Sequence, residues 1–318
     1  MAAIDSFYKR KLNRIQIPLS PLNQEVEYTD FGEIEFVTSP GHNAKFVRAD
    51  SITDTSAVLE LMRNKWQMQK PNLLISVTGG NDNCSIDLDL LDAFQYELIK
   101  AAKTTDAWII TGGTNAGMPK YVGEAAEYYG LTSINKKCAV IGITPWGVIQ
   151  KEQFQAYKKV VGRANNVIKE KWNEEEGSLD LHHSHFIFVD VGTQNKYTTE
   201  ISFQAELERK ISEMKIDTGN DCINLGSVVS YVPTVLLVLE GGTGTLETVK
   251  NALKENTPVV IVKGSGRAAD ILAFAFKYAV DDEDNGIKKT YPDLEDVLRK
   301  QLENIGVRSK DQIEVNIE

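Results

Sequence analysis

From residue 73 onward the chain alternates short apolar runs with longer stretches in which apolar positions recur every three or four residues. The short runs cover 73–77, 107–110, 139–143, 186–189, 234–239 and 258–262, and several are near-continuous in Val, Ile and Leu. That pattern suits parallel strands buried on both faces. The stretches at 88–102, 198–214, 245–253 and 268–279 carry the spacing of amphipathic helices. Strand, crossover helix and parallel strand in repetition predict an α/β fold, a doubly wound, mainly parallel sheet with helices on both faces. Residues 1–50 read as an irregular N-terminal extension with a short strand near 34–37. The α/β domain then spans 51–280, and 281–318 forms a C-terminal extension, helical at 294–302 and polar beyond. Between 135 and 180 the pattern gives a strand and then a charged run, 169–176, that reads as an exposed helix end and loop. With no solenoid-length repeat, low-complexity tract or linker, one decorated domain is expected.

Composition narrows the classes. The chain has 318 residues, 42% hydrophobic and 25% charged, the proportions of an ordinary globular protein. Its strongest apolar run, 235–239, is strand-sized, far short of the roughly 18–20 residues that cross a bilayer. The first fourteen residues are polar, with Lys9, Arg10, Lys11 and Arg14, and no apolar segment follows them as in a signal peptide. The expectation is a protein that neither spans a membrane nor enters the secretory pathway. A net charge of −10 argues against general nucleic-acid binding, which needs a clustered basic surface. A small anion remains compatible, because backbone N–H groups at helix starts hold phosphate without net positive charge. Cys84, Cys138 and Cys222 are far apart and odd in number, which reads as reduced thiols rather than a zinc cage or disulfide framework.

The candidate chemistry follows four of the strands. Thr78-Gly79-Gly80-Asn81 succeeds the first, and Thr111-Gly112-Gly113-Thr114-Asn115-Ala116-Gly117 the second. Glu240-Gly241-Gly242-Thr243-Gly244-Thr245 runs straight into a helix, as does Lys263-Gly264-Ser265-Gly266-Arg267. All strands of a parallel sheet end on one edge, so these loops should meet there. Glycine lets a ligand approach bare N–H groups, helix starts favour anions, and Arg267 offers a planar fork for a diphosphate or carboxylate. One Gly-Gly after a strand is as well explained by a tight turn; four together point to a binding site.

Several chemistries are absent or weakly marked. No Gly-Lys-Ser/Thr completes a Walker A loop, so P-loop ATP hydrolysis is disfavoured. Gly264-Ser265-Gly266-Arg267-Ala268-Ala269 fits G-x-G-x-x-A, but after the last strand and with no strand-borne acid about twenty residues on. Neither G-x-S-x-G nor H-E-x-x-H occurs. His182, His183 and His185 have imidazoles that can ligate metal or act as a base, yet a cluster at a strand entrance reads first as structural. No metal ligand and no catalytic residue is therefore assigned. Tyr197 opens a helix on the glycine edge, where it stacks on a base, hydrogen-bonds a ribose or packs into the core.

These residues carry a resemblance. Pro71-Asn72-Leu73-Leu74-Ile75-Ser76-Val77-Thr78-Gly79-Gly80, Trp108-Ile109-Ile110-Thr111-Gly112-Gly113 and His183-Ser184-His185-Phe186 resemble the N-terminal cytosolic region of melastatin-type TRP cation channels. Leu239-Glu240-Gly241-Gly242-Thr243-Gly244-Thr245-Leu246 and Gly264-Ser265-Gly266-Arg267 extend the likeness, with Phe31-Gly32-Glu33-Ile34 and Trp66 upstream. It runs in order over residues 30–280 and is nearest to the ADP-ribose-gated members. It implies a Rossmann-like fold of the superfamily that includes the cytokinin-activating phosphoribohydrolases. It further implies a regulatory domain that senses ADP-ribose or a related nucleotide without a required cofactor. Such a domain belongs to the cytoplasmic side of the plasma membrane, within a calcium-permeable channel that is a homotetramer. Its partners would be the remaining channel domains and neighbouring subunits, and the chain would be an excised domain or a free-standing relative.

Carried over by residue, the resemblance puts phosphates and riboses on Thr78, Gly79, Gly113, Gly242, Thr243, Gly244 and Arg267, with Tyr197 a ligand contact. The chain departs from the ADP-ribose-gated pattern at Gln204, where an arginine is expected. It departs from the hydrolase pattern P-G-G-x-G-T-x-x-E at Glu240 and at Thr248; Glu247 lies one position early, about 100° around a helix. A hydrolase and a subunit-interaction module without ligand are the alternatives to the sensor.

Overall fold

The computed structural model describes residues 16–17, 26–27, 30–36, 42–80, 86–130, 138–149, 162–166, 177–192, 198–216, 230–282, 287–290 and 294–306. Two strands come first, β1 (Asp30–Phe36) and β2 (Asn43–Asp50), then helix α1 (Thr55–Asn64). Alternation follows as β3 (Leu74–Gly79), α2 (Leu88–Thr105), β4 (Trp108–Thr111), α3 (Gly117–Gly130) and β5 (Ala139–Pro145). The chain continues through β6 (Gly162–Asn166), β7 (His185–Asp190), α4 (Ile201–Ser212), β8 (Thr234–Leu239) and α5 (Thr243–Lys254). It closes with β9 (Val259–Ile261), α6 (Arg267–Tyr278) and α7 (Leu294–Asn304).

Nine strands form one sheet in the order β9-β8-β3-β4-β5-β7-β2-β1-β6. Seven of them, from β9 across to β2, are mutually parallel; β1 runs antiparallel to β2, and β6 pairs parallel with β1. The alternation of each strand sends its residues to opposite faces. Leu74, Trp108, Ile110, Ile141 and Ile143 meet Val58 and Leu61 of α1 and Phe203 and Leu207 of α4. Ile75, Val77, Ile109 and Val140 meet Leu98 and Ile99 of α2 and Met118 and Val122 of α3. The fold is thus Rossmann-like and doubly wound. Among the described residues no helix is long and apolar enough to cross a membrane.

Local signals set the helix ends. The Asp87 side chain accepts from the Asp89 and Leu90 amides at the start of α2, and Asp106, at φ 53°, closes the same helix in the left-handed region. Such capping satisfies backbone groups that helix termini leave open.

Residues 30–50, expected to be irregular apart from a short strand near 34–37, instead add two full strands to the sheet, β1 overlapping the expected one. β2 reads as mixed in sequence because Lys45, Arg48 and Asp50 interrupt its apolar positions, yet Ala44, Phe46, Val47 and Ala49 are all buried. The charges are accommodated at the rim: Lys45 Nζ donates to Trp66 O at 2.7 Å, and Arg48 Nε donates to Asp190 Oδ2 at 3.1 Å. An aromatic cluster of Phe36, Phe46, Trp146, Phe186 and Phe188 holds β1 and β2 to β7. Helices α1 and α3 were also unmarked in the sequence; α3 carries glycine at both ends and Pro119 in its first turn. The 169–176 run lies outside the described residues.

Candidate ligand-binding site

The four glycine loops follow β3, β4, β8 and β9, and these strands are contiguous in the sheet. Chain order reverses between β3 and β8: successive strands run outward through β4, β5 and β7 on one side and through β9 on the other. A crevice at the carboxyl ends of strands flanking such a switch point is where open α/β sheets bind ligands.

The loops interlock before they can bind anything. Gly80 N donates to Leu239 O at 3.2 Å and Met118 N to Gly80 O at 2.9 Å, tying the β3 loop to β8 and to α3. A side chain at Gly79 would place its Cβ 2.1 Å from Leu239 O, so only glycine lets the two strands approach this closely. Gly113 sits at φ 72° with Gly142 packed against it. Its N–H donates to Thr111 Oγ1, and Thr144 Oγ1 donates to Gly112 O at 2.7 Å. Gly242 N reaches Thr245 Oγ1 at 3.4 Å, and Gly264 N reaches Asp270 Oδ1 at 2.6 Å.

The sequence-derived residues therefore divide into two groups. Thr111, Gly113, Gly117, Glu240, Gly241, Thr245 and Ser265 are buried and shape the loops from beneath, as does Gly80. Ser265 Oγ accepts from Glu240 N at 2.8 Å and donates to Val262 O, so its hydroxyl is already engaged within the protein. Thr78, Gly79, Gly112, Asn115, Gly242, Thr243, Gly244, Gly264, Gly266 and Arg267 retain surface at the edge. Asn81 and Tyr197 lie outside the described residues.

Arg267 lies across the β8 loop. Its Nε donates to Gly241 O at 3.0 Å, and its Nη2 stands 3.5 Å from where a Cβ on Gly242 would be. Arg267, Glu240 and Thr198 all have positive φ, at 48°, 55° and 72°. Non-glycine residues held there are strained, and such strain gathers at ligand clamps. All three surround the start of α5: Glu240 opens the loop, Arg267 spans it, and Thr198 packs on Gly244.

Glu200 was not marked by the sequence. Its Oε2 is buried with no hydrogen-bond partner among the described residues. Burial pushes its carboxyl up to about 7; nearby Glu247 on α5 adds to the rise, while backbone amides at 198 and 200 oppose it. The signal was hidden in the sequence because Glu247 comes near only when α4 packs on α5. At the position where the hydrolase pattern has its glutamate, Thr248 Oγ1 bonds back to Gly244 O at 3.0 Å.

Gln204 faces inward. Its Nε2 donates to Glu208 Oε1 at 2.7 Å and to Ser76 Oγ at 3.2 Å, and Ser76 Oγ donates to Glu208 as well. Burial raises the Glu208 carboxyl, opposed by these hydrogen bonds. Of the histidines, His183 is buried against Thr111 and Asp180, while His185 stacks near Trp66 with ring centroids 4.9 Å apart.

A cleft of about 720 Å³ lies at the opposite edge, where β4, β5 and β7 begin, and a smaller one of about 570 Å³ borders Arg267 between α6 and α7. Size alone favours the first. Its Lys45 and Lys103 are held by the Trp66 and Tyr129 carbonyls, however, and none of the glycine loops line it. The loop edge is the better candidate on chemistry.

Fold and edge together define an α/β protein with a glycine-lined crevice at its switch point. The family described as SLOG in TRPM matches residues 44–316, and the chain belongs to that family. It is 38% identical over 292 residues to transient receptor potential cation channel subfamily M member-like 2 of Nematostella vectensis, covering 89% of this chain and 18% of that protein. Subfamily M member 2 of Mus musculus is 41% identical over 252 residues, 79% of this chain and 16% of the relative. Subfamily M member 6 of the same species is 37% identical over 276 residues, 86% and 13% respectively. The chain thus corresponds to the N-terminal region of melastatin-type TRP channels and spans less than a fifth of these relatives.

Proposed function

We propose that this chain is the regulatory cytosolic ligand-binding region of a melastatin-type, calcium-permeable cation channel. The ligand is ADP-ribose or a related nucleotide, received at the β3/β8 crevice. One observation carries the reading: Arg267, held at positive φ, lays its guanidinium over the Gly241-Gly242 turn at the start of α5. That arrangement sets a charge-assisted donor beside helix-terminal N–H groups, the chemistry that receives a diphosphate. The overall charge of −10 is no obstacle, since such a group is held locally.

The departure at Gln204 weighs less than the sequence suggests, because that side chain is engaged with Ser76 and Glu208 inside the fold. Within the full channel, binding would act through differential affinity for closed and open states of a tetramer at the cytoplasmic membrane face.

Calorimetric titration of the 318-residue chain with ADP-ribose, cyclic ADP-ribose, NAD and AMP tests the proposal. Saturable heat from a diphosphate-bearing ligand is expected. No heat from any of them at millimolar concentration overturns it and favours an interaction module. Release of free base from AMP or NAD, abolished by Glu247→Gln, favours the hydrolase instead.

A further inference from the structure

At the edge opposite the glycine loops, three side chains from distant parts of the sequence converge. His42 precedes β2, Glu127 lies in the last turn of α3, and His182 lies in the turn before β7. A nitrogen from each imidazole and an oxygen from the carboxylate all lie within 4.8 Å of one another. His182 Nδ1 faces Glu127 Oε2 at 3.8 Å, too long for a hydrogen bond, and that nitrogen is buried with no hydrogen-bond partner among the described residues. The His42 and His182 rings meet edge to face, with centroids 5.5 Å apart and planes at 83°. Perpendicular rings present nitrogens to a shared point without stacking.

We propose that His42, Glu127 and His182 form a binding site for a divalent transition metal of the zinc class. Two imidazoles and one carboxylate are a zinc-type donor set, whereas calcium and magnesium favour shells composed mainly of oxygens. A tetrahedral ion with bonds of about 2.0–2.1 Å holds its ligands about 3.3 Å apart, so the three atoms close on it through side-chain rotations of roughly 1 Å each. The fourth position is left for water or an incoming ligand. A lone unpaired Nδ1 between a carboxylate and a second imidazole is costly to bury empty, and a metal gives it a partner.

The turn that carries His182 is already held in place through its backbone. The His182 backbone N–H donates to Asp180 Oδ1 at 3.0 Å, and that oxygen also accepts from His183 Nδ1 at 2.8 Å. His183 Nε2 in turn meets Thr111 Oγ1, which supports the Gly113 amide. A metal on His182 therefore braces the turn that buttresses the glycine loop, and it ties together the entries of β2 and β7 and the end of α3. The site stands whether or not the nucleotide reading does, because none of its ligands belongs to the crevice.

The test is a Co²⁺ titration of the chelator-stripped, 318-residue chain without nucleotide, followed by visible d–d absorption and displacement by Zn²⁺. One equivalent with tetrahedral-type absorption is expected, weakened at least tenfold by His42→Ala, Glu127→Gln and His182→Ala and unaffected by Cys138→Ser. Zn²⁺ should raise the melting temperature of the wild-type chain but not of the variants, whose melting in chelator matches wild type. If His182→Ala fails to fold, His42→Ala, at a part-exposed position, carries the test. No saturable signal up to millimolar Co²⁺, binding insensitive to His42→Ala and Glu127→Gln, or a signal lost in Cys138→Ser would each overturn the proposal.

Discussion

His183 and Thr111, 72 positions apart, meet at 2.7 Å between Nε2 and Oγ1 inside the protein. Asp180 Oδ1 takes the other ring nitrogen at 2.8 Å, so His183 donates from Nδ1 and accepts the Thr111 hydroxyl at Nε2. That leaves Thr111 Oγ1 to accept the Gly113 N–H at 3.0 Å. All three side-chain partners are 1% exposed. The Thr-His-Asp order invites a catalytic reading, but with no access to solvent the network is a strut for the β4 loop. Thr111→Val keeps the shape and strands two polar groups, His183 Nε2 and Gly113 N–H. It should cost about 1–3 kcal/mol in urea unfolding; a loss below about 0.5 kcal/mol would show that the strut contributes little.

Two glycines should respond differently to the same substitution. Gly79→Ala drives a Cβ to 2.1 Å from Leu239 O and 2.5 Å from Met118 Cγ, and a backbone carbonyl in a sheet cannot yield. A loss of about 2–3 kcal/mol is expected, as for severe overpacking. At Gly264 nothing lies within 4 Å and only the φ of 89° resists, so Gly264→Ala should cost about 1 kcal/mol. Equal losses in thermal melting would mean that close approach of β3 to β8 is not what requires Gly79.

Arg267→Ala should lower affinity for ADP-ribose by about 10–100-fold, the range for a lost charge-assisted bond. The side chain is exposed, so the unfolding free energy should change by no more than about 1 kcal/mol. Calorimetry gives the first quantity and denaturant titration the second. Affinity equal to wild type would move the ligand away from the β8 loop.

Glu200 makes the fold pH-sensitive in a defined direction. Its carboxyl is raised from 4.5 to about 7. The unfolded chain loses this proton first as pH climbs, so stability falls between about pH 4.5 and 7 and stays lower above that. Glu200→Gln removes the penalty: it should stabilise the protein by roughly 1–3 kcal/mol at pH 8 and hardly at all at pH 4. Melting curves at the two pH values decide it, and a gain of equal size at both would assign the effect to packing.

His185 should act at the acid end. Burial holds its imidazole down to about 3, with Lys45 adding to the effect. The unfolded chain takes up the proton near pH 6.5 while the folded one refuses it, so this contribution is present above pH 6.5 and lost as pH falls toward 3. His185→Gln should flatten the stability profile across that interval, even though its loss of packing on Trp66 lowers stability at pH 7. A slope unchanged from wild type would place the acid sensitivity elsewhere.

What the sequence determined by itself was the repeated unit. Near-continuous Val, Ile and Leu runs such as 234–239 have one low-energy use, as strands buried on both faces, and glycine loops after them must fall on one edge. The sequence pattern alone therefore places the loops after β3, β4, β8 and β9 together. β2 escapes that pattern, because the polar residues that interrupt it find partners only in the folded chain: Arg48 with Asp190, and Lys45 with the Trp66 carbonyl. Only tertiary structure could separate the glycines that line the crevice from those that let strands touch, since a bare N–H reads identically in both. It also decided the polar residues. Glu200 beside Glu247, Gln204 turned to Ser76, and His42 brought to Glu127 and His182 are pairings across long stretches of chain. Local periodicity reports which face a residue occupies, whereas a site requires atoms from several elements within a few ångströms, a distance that packing alone sets.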